Sequence, residues 1–371
     1  MVVTVLLISF VLAAAWANGA NDVSKGVGTL VGSGLATYRR AIVWGAVWTV
    51  AGGLAAVVVS SGLVETFRTG LLLETPAALD RFLLAVAVGV FMWVIVASRT
   101  GLPVSTTHAM AGAILGAALT ASGVQGIRWP LVATSVALPL ALSPFAAAGV
   151  SYLLHAATAG WLSRAAGYCV CLERRRIGLV PVGCAHPASS EAPPAPGVVI
   201  DRDTACDRDS VVSGVRLTDG AHWATSAALS FARGMNDNPK IIALGVGSAA
   251  SAGSGITPVF VAGALAMGAG SWLYGRRVTH TLAEEVAAID PLEGLSASFV
   301  ASVLVLAASV AVLPVSTTHV ATGAIVGAGL RSGARAVRWD TVRTVALAWL
   351  VTLPVAGAGA TAAWLAVGVI V

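Results

Sequence analysis

Charged residues are scarce in this sequence, and their scarcity excludes a water-soluble globular protein. Only 11% of the 371 residues are Asp, Glu, Lys or Arg, whereas 57% are hydrophobic, and the mean hydropathy is +0.86. Ordinary soluble domains carry about 25% charged residues. Because one chain cannot hide so much apolar surface from water, we expect this protein to lie in a lipid bilayer.

Two further absences narrow the class of membrane protein. The sequence lacks the short segments of alternating apolar and polar residues that form a membrane β-barrel. No Lys or Arg precedes the first apolar run, 2–17, so we expect this run to stay in the mature chain, although "AAAWANGA" resembles a signal-peptide cleavage site. The apolar runs are long enough to cross a hydrocarbon core of about 30 Å, so the sequence predicts an all-α polytopic membrane protein.

Cysteine is also rare, and it is confined to one polar segment, 163–220. The segment contains all four cysteines, Cys169, Cys171, Cys184 and Cys206. Its "APPAPG" and "DRDTACDRDS" stretches are typical of a linker or a small insertion outside the membrane. The thiols and His186 could bind zinc, but their spacing matches no standard finger, and a poorly ordered insertion without metal is the alternative.

A repeat stands out against this apolar background. "GAND" at 19–22 recurs as "GMND" at 234–237, and "PVSTTH" at 103–108 recurs unchanged at 314–319, with offsets of 215 and 211 residues. Internal repeats of this kind are typical of secondary transporters. We therefore expect a first transmembrane repeat over 1–162, a linker over 163–220 and a second repeat over 221–371.

Each repeat divides into five predicted membrane elements. The ten elements are 2–36, 41–60, 82–98, 103–121 and 130–157, then 221–250, 257–275, 296–313, 314–330 and 341–368. We expect the first element of each half to be broken at its Asn-Asp motif, and the broken elements to be crossings or re-entrant hairpins that meet at the bilayer midplane. An odd number of elements inverts the second half relative to the first.

The distribution of basic residues predicts the orientation of the chain. With the N-terminus outside, 16 of the 22 Lys and Arg residues fall in inner connections and three, Arg68, Arg81 and Arg128, in outer ones. Cytoplasmic connections carry the excess of positive charge in membrane proteins. We therefore expect a multi-pass protein of the cell membrane with both termini outside and the central segment in the cytoplasm.

The duplicated Asn-Asp motifs place a charge inside each apolar half. A charge at the centre of a membrane helix costs at least about 2.5–3.5 kcal/mol, so Asp22 and Asp237 must face a cavity, a cation or a basic partner. Gly19 and Gly26 weaken the first helix, and Pro239 is expected to end one helix or open another in the second half. An unwound backbone there would offer carbonyl groups to a small cation and N–H groups to an anion.

The duplicated hydroxyl motif predicts a second part of the same site. Each Pro is suited to a helix start, and the hydroxyls that follow lie in the first turn with the free N–H groups. They are Ser105, Thr106, Thr107, Ser316, Thr317 and Thr318. Two such helix starts approaching from opposite sides would cradle a tetrahedral oxyanion, whereas the alternative is that the hydroxyls only bond to their own backbone. His108 and His319 are either helix-turn residues or proton-linked groups.

"GANDV", the repeated "PVSTTH" and the two halves resemble the inorganic phosphate transporter (PiT) family of sodium- or proton-coupled carriers, over the whole chain apart from 163–220. The resemblance implies phosphate uptake coupled to a cation by an elevator-like or rocking alternating-access cycle, and a homodimer. It implies that Asn21, Asp22, Asn236 and Asp237 form the cation and substrate site and that the six hydroxyls hold the anion. A branch of the family resembles sulfate permeases, so a sulfate or other oxyanion permease is the alternative.

The chain departs from this family at one position in each half. The common motif "GANDVAN" has Asn where this sequence has Lys25, and the second half has Lys240. In one interpretation the lysines neutralise Asp22 and Asp237 structurally. In the other, their ammonium groups replace sodium ions and add positive charge to the substrate site, so sodium dependence would be weak and coupling would be to protons or absent. Arg233 likewise stands where the first half has Asn18.

Other functional classes explain less of the sequence. A cation channel or exchanger that used the two Asp residues alone would leave the duplicated hydroxyls unexplained. A membrane enzyme with His108 or His319 as its base would need a nucleophile, a metal triad or a cofactor motif, and the sequence shows none. We expect no catalytic residue, cofactor or nucleic-acid partner, and no firm metal site beyond cation ligands at the Asn-Asp motifs.

Overall fold

The computed structural model describes residues 2–59, 61–173, 197–202, 211–251, 253 and 255–370, and most of them are helical. In the first half the helices are α1 (Val2–Gly32), α2 (Tyr38–Val59), α3 (Ser61–Glu65), α4 (Leu79–Thr100), α5 (Thr106–Ser122), α6 (Trp129–Leu131) and α7 (Leu138–Ala165). In the second half they are α8 (Leu217–Ser251), α9 (Ile256–Tyr274), α10 (Arg276–His280), α11 (Pro291–Val310), α12 (Thr317–Leu330) and α13 (Trp339–Ile370). Short π-helical and 3₁₀ turns connect several of them.

The ten predicted membrane elements all exist as helices. They correspond to α1, α2, α4, α5 and α7, and to α8, α9, α11, α12 and α13. Within the described residues, seven helical segments are long and apolar enough to cross a membrane. The predicted class, an all-α polytopic membrane protein, is confirmed.

The predicted breaks at the Asn-Asp motifs are wrong, because α1 and α8 run through them as continuous helices. Pro239 lies inside α8 rather than at a helix end. The glycines serve close packing instead of unwinding: a β-carbon at Gly19 would collide with the backbone carbonyl of Met267, and one at Gly26 with the side chain of Ser230. Small residues of this kind let membrane helices approach closely.

The irregular backbone lies instead between α4 and α5 and between α11 and α12. Leu72, before α4, pairs with Ile127, after α5, and Ala287 and Val337 pair in the same way around α11 and α12. The chain thus enters and leaves each helix pair on the same side, as a re-entrant hairpin. With 17 and 14 residues, α5 and α12 are only about 25 and 21 Å long, too short to cross the bilayer.

The first long helices of the two halves, α1 and α8, run in opposite directions. Thr29 of α1 lies 3.0 Å from His222 of α8, whereas a β-carbon at Gly245 of α8 would lie 3.1 Å from Ile8 of α1. Residue numbers therefore rise along α1 as they fall along α8. This antiparallel relation is what an inverted repeat predicts.

Apolar side chains cover the outside of the helices, and the interior contains polar and charged side chains among apolar ones. Large hydrophobic residues such as Phe145, Trp272 and Leu350 are more than 60% exposed on the outer surface. The Asn, Asp, Lys and Arg side chains in and next to the Asn-Asp motifs of α1 and α8 are instead buried. This distribution suits a protein whose solvent is lipid, because the polar groups must find partners inside the protein.

The central segment contains a small sheet, which the sequence did not predict. Strands β1 (Tyr168–Glu173), β2 (Gly197–Arg202) and β3 (Val211–Arg216) pair antiparallel in the order β2-β1-β3. The expectation of a poorly ordered insertion is therefore wrong for these strands. Their short runs of Val and Ile lie between charged and Pro-rich stretches, whose composition dominated the prediction.

Candidate functional site

The first Asn-Asp motif holds a lysine ammonium group in a set of four oxygen atoms. Lys25 Nζ donates to Asp22 Oδ1, to Asn21 Oδ1 at 2.9 Å, to the Asn21 carbonyl at 3.2 Å and to the Val104 carbonyl at 3.4 Å. Three of these oxygens come from one turn of α1 and the fourth from the tip of the first hairpin. Both charged side chains are 1% exposed, so they form a buried ion pair tied to the hairpin.

The second motif builds a similar set of oxygens around the other lysine. Lys240 Nζ donates to Asn236 Oδ1, to the Val315 carbonyl at 3.0 Å, to Thr107 Oγ1 at 2.9 Å and to Asp237 Oδ1 at 3.4 Å. Again, α8 and a hairpin tip share the ligands. One difference matters: Lys240 also contacts the hairpin of the other half, through Thr107, whereas every oxygen around Lys25 belongs to its own half.

The two asparagines attach each long helix to its own hairpin. Asn21 donates to the Leu102 carbonyl at 2.9 Å and lies 3.3 Å from Ser98 Oγ. Asn236 donates to Ser309 Oγ at 2.9 Å. These two serines were not among the predicted site residues, although they are 211 residues apart, the same offset as the hydroxyl motifs. They fix the orientation of the amides whose oxygens hold the lysines.

The hairpin tips are helix N-termini, as predicted. Ser105 is the N-cap of α5 and Ser316 that of α12, and each Oγ accepts the N–H of the His three residues later at 3.2 Å. The first N–H groups of a helix have no partner within it, so the amides of the following threonines remain available. All six hydroxyl residues are at most 3% exposed, so none of them faces lipid.

The two tips contact each other through a reciprocal pair of hydrogen bonds. Thr107 Oγ1 donates to the Val315 carbonyl at 3.2 Å, and Thr318 Oγ1 donates to the Val104 carbonyl at 2.8 Å. Adding 211 to Thr107 gives Thr318, and adding 211 to Val104 gives Val315, so the contact is symmetric. These valine carbonyls also accept from the lysines, so the tips and the lysine sites share atoms.

The remaining hydroxyls reach the carboxylates unequally. Asn18 donates to Thr106 Oγ1 at 2.9 Å and to Asp22 Oδ2 at 3.1 Å. On the other side, Thr317 Oγ1 lies 3.5 Å from Asp237 Oδ2. The structure thus brings together all twelve predicted residues: Asn21, Asp22, Lys25, Ser105, Thr106, Thr107, Asn236, Asp237, Lys240, Ser316, Thr317 and Thr318.

The two histidines lie side by side behind the hairpin tips. Their ring centroids are 4.7 Å apart, His319 also stacks on Trp349 at 3.8 Å, and His319 Nδ1 is 2.8 Å from the Leu140 carbonyl. Both are at most 8% exposed. These packing contacts favour the structural interpretation of His108 and His319 over a direct contact with substrate.

The zinc site that was weighed against an insertion without metal cannot be assembled from the described residues. Cys169 and Cys171 are buried on β1, with Sγ atoms 3.0 Å apart, whereas Cys184, His186 and Cys206 lie outside the described residues. Among the residues that the structure describes, no group of three or more His, Cys, Asp or Glu side chains could hold a metal ion.

Comparison with known proteins gives a consistent result. The family model described as the phosphate transporter family matches residues 18–360. The chloroplastic inorganic phosphate transporter 2-1 of Arabidopsis thaliana is 30% identical over 412 residues, which cover 94% of this chain and 69% of that protein. A solved structure of a sodium-dependent phosphate transporter superimposes over 100% of both chains with a TM-score of 0.79 at 21% identity, a likeness of fold.

Proposed function

We propose, from the premise that the chain belongs to the phosphate transporter family, that it carries inorganic phosphate across the cell membrane by alternating access. The family is one of transporters, which are not enzymes. The observation that carries the proposal is the meeting of two hydroxyl-tipped helix starts over two Asn-Asp motifs inside the apolar protein. Helix N-termini favour anions, and the hydroxyls of Thr106, Thr107, Thr317 and Thr318 add donors for the several oxygens of one oxyanion.

The site is closed in this conformation. Its twelve residues are at most 3% exposed, so neither side of the membrane has access to it. A carrier must then open the site to each side in turn. The hairpins are the natural moving parts, because each enters and leaves on one side and is held at its tip by a few hydrogen bonds.

Phosphate fits this site better than sulfate does. Near neutral pH phosphate keeps a proton, which it can donate to the carboxylate of Asp22 or Asp237, whereas sulfate has only acceptors and would meet carboxylate oxygens without a proton between them. Arsenate has the shape and protonation of phosphate. Sulfate permeation is the alternative function, and its competition against phosphate distinguishes the two.

We further propose that sodium is not the coupling ion, so coupling is to protons or absent. Each lysine ammonium lies among four oxygens from a carboxylate, an amide and backbone carbonyls or a hydroxyl. Oxygens of this kind are the ligands that hard cations prefer. The tethered ammonium groups of Lys25 and Lys240 occupy the places that free cations would need.

Uptake of radiolabelled phosphate into proteoliposomes tests the function. We expect saturable uptake that an excess of arsenate inhibits and that sulfate at the same concentration does not inhibit. Thr107→Val should reduce uptake about tenfold or more, because it removes a hydroxyl that bonds both Lys240 and the opposite tip. Thr134→Val, at an exposed threonine that bonds only to its own helix, is the matched control and should transport normally.

Two results would reject this proposal. Absence of phosphate uptake by a folded wild-type protein would reject phosphate as the substrate, and inhibition by sulfate as strong as that by arsenate would favour the oxyanion permease. Uptake that rises steeply with sodium at constant ionic strength would reject only the part that concerns the coupling ion.

A further inference from the structure

Arg233 is the largest fully buried side chain of the described residues. A charged side chain inside a membrane protein is energetically costly unless it has a partner or a function. Arg233 lies on α8, one turn before Asn236 and Asp237, and is 0% exposed. The corresponding residue of the first half, 215 positions earlier, is the neutral Asn18. The second half therefore carries a positive charge that the repeat does not require.

The guanidinium is only partly satisfied by its neighbours. One nitrogen, Nη2, donates to Thr49 Oγ1 and lies 3.5 Å from Ser271 Oγ. The other two nitrogens, Nε and Nη1, are buried without a hydrogen-bond partner in the part of the chain that the structure describes. Because arginine has five N–H donors, three of them remain unused, and unsatisfied buried donors of a charged group are strongly unfavourable.

Arg233 is also the charge that remains after the others are paired. Asp22 pairs with Lys25 and Asp237 with Lys240. Arg233 lies on α8 about one turn from Asp237, and it forms no ion pair with either carboxylate in the part of the chain that the structure describes. With the side chains in their ordinary charge states, the buried cluster holds three positive and two negative groups. Its net charge is one positive unit, in a medium that screens charge poorly.

We propose that Arg233 is a specificity-determining residue of the transport site, whose positive charge the bound oxyanion neutralises. The inference rests on the proposed function, because it concerns the same site and the same anion. Each Asn-Asp motif contributes one Asp and one Lys whose charges cancel, so the two motifs supply no net positive charge for an anion. Arg233 supplies that charge. A neutral substrate or a cation would leave the charge of Arg233 uncompensated.

Charge removal and charge retention at this position separate an electrostatic role from a structural one. Arg233→Gln removes the charge, Arg233→Asn copies Asn18, and Arg233→Lys keeps the charge but not the planar group. We expect the dissociation constant of inorganic phosphate, measured by calorimetry on purified protein at fixed ionic strength, to rise about 10- to 100-fold in both neutral variants. The lysine variant should stay within about threefold of the wild type.

A matched control and a second measurement keep the test decisive. Arg68→Gln alters another arginine with a buried, unpartnered Nε. This arginine lies beside Gly247, about two turns along α8 from Lys240, so the phosphate affinity of the variant should not change. Thermal stabilisation by phosphate in native lipids measures binding where a variant tolerates detergent poorly. Uptake kinetics should show the loss in KM, with partial recovery at saturating phosphate.

Each outcome decides the proposal. Neutral variants that bind phosphate as tightly as the wild type would overturn it, and so would an Arg233→Lys variant as weak as Arg233→Gln, which would assign the residue a structural role. Wild-type protein that binds no phosphate would reject the proposed function instead. In that case the same variants, measured with the anion that does bind, still test the assignment of Arg233.

Discussion

Replacing Lys25 with Asn should create a sodium-binding site in a protein for which we propose that sodium is not the coupling ion. The ammonium group of Lys25 lies among four oxygens contributed by Asn21, Asp22 and Val104. The shorter Asn side chain, which the PiT motif has at this position, vacates that space and leaves the Asp22 carboxylate buried without its cation. The oxygen set would then favour a small metal ion.

The expected magnitudes follow from the buried ion pair. Removing one partner of such a pair destabilises a protein by about 3–5 kcal/mol. Sodium that binds the vacated oxygens would restore part of this loss: at a concentration one hundred times its dissociation constant, a ligand contributes about 2.7 kcal/mol. At about 2 °C per kcal/mol for a large chain, the melting temperature of the variant should rise by about 5 °C on sodium addition.

Thermal melts of purified protein measure this effect directly. The variant is compared in sodium chloride and in choline chloride at the same ionic strength, and the wild type is the control that should show no difference. Phosphate uptake by the variant should also become sodium-dependent. The reasoning is refuted if sodium stabilises the wild type as much as the variant. It is also refuted if the variant melts at the same temperature in sodium chloride and in choline chloride.

Three other predictions concern packing, orientation and metal content. Gly234→Ala should destabilise the protein by about 1–3 kcal/mol, because the new β-carbon would collide with the Thr49 carbonyl. Gly149→Ala, at a glycine with open space around it, should melt like the wild type. Equal melting temperatures of the two variants would contradict the close packing. The orientation is tested in a chain whose native cysteines are replaced. The Arg128→Cys variant should react with an impermeant maleimide added outside the cell, and the Arg40→Cys variant should not. The reverse pattern would show that the orientation is opposite to the predicted one. Elemental analysis of the purified protein should find no stoichiometric zinc, and one zinc per chain would show that the central segment binds metal.

Hydropathy and the two duplicated motifs predicted the helices and the members of the candidate site. A buried charge needs a partner, so Asp22 and Lys25 one turn apart were expected to meet, and their offset copies also meet. The same offset placed Thr107 and Thr318 in equivalent positions, where they exchange contacts with opposite tips. Such features follow from local spacing and from the repeat, which a sequence records directly.

The errors arose where tertiary neighbours decide the role of a residue. Gly19 and Gly26 predicted an unwound helix, but the structure uses them for close approach to Met267 and Ser230. No unwinding is needed, because Lys25 supplies the cation from within the same turn. The carbonyl groups of Val104 and Val315, which complete both lysine sites, could not be predicted, because a backbone oxygen has no sequence signature.

The departures from symmetry carry more functional information than the symmetry itself. Two identical inverted halves would give a carrier whose conformations open to either side have equal free energy, apart from the surroundings. Here Lys240 holds the opposite hairpin through Thr107, whereas Lys25 holds only its own. In the proposed alternating-access cycle, opening on the side of the first hairpin would break a charge-assisted hydrogen bond, of about 1.5–3 kcal/mol, that opening on the other side would keep. We expect this bond to bias the resting conformation, and Thr107→Val to shift that bias as well as to weaken transport.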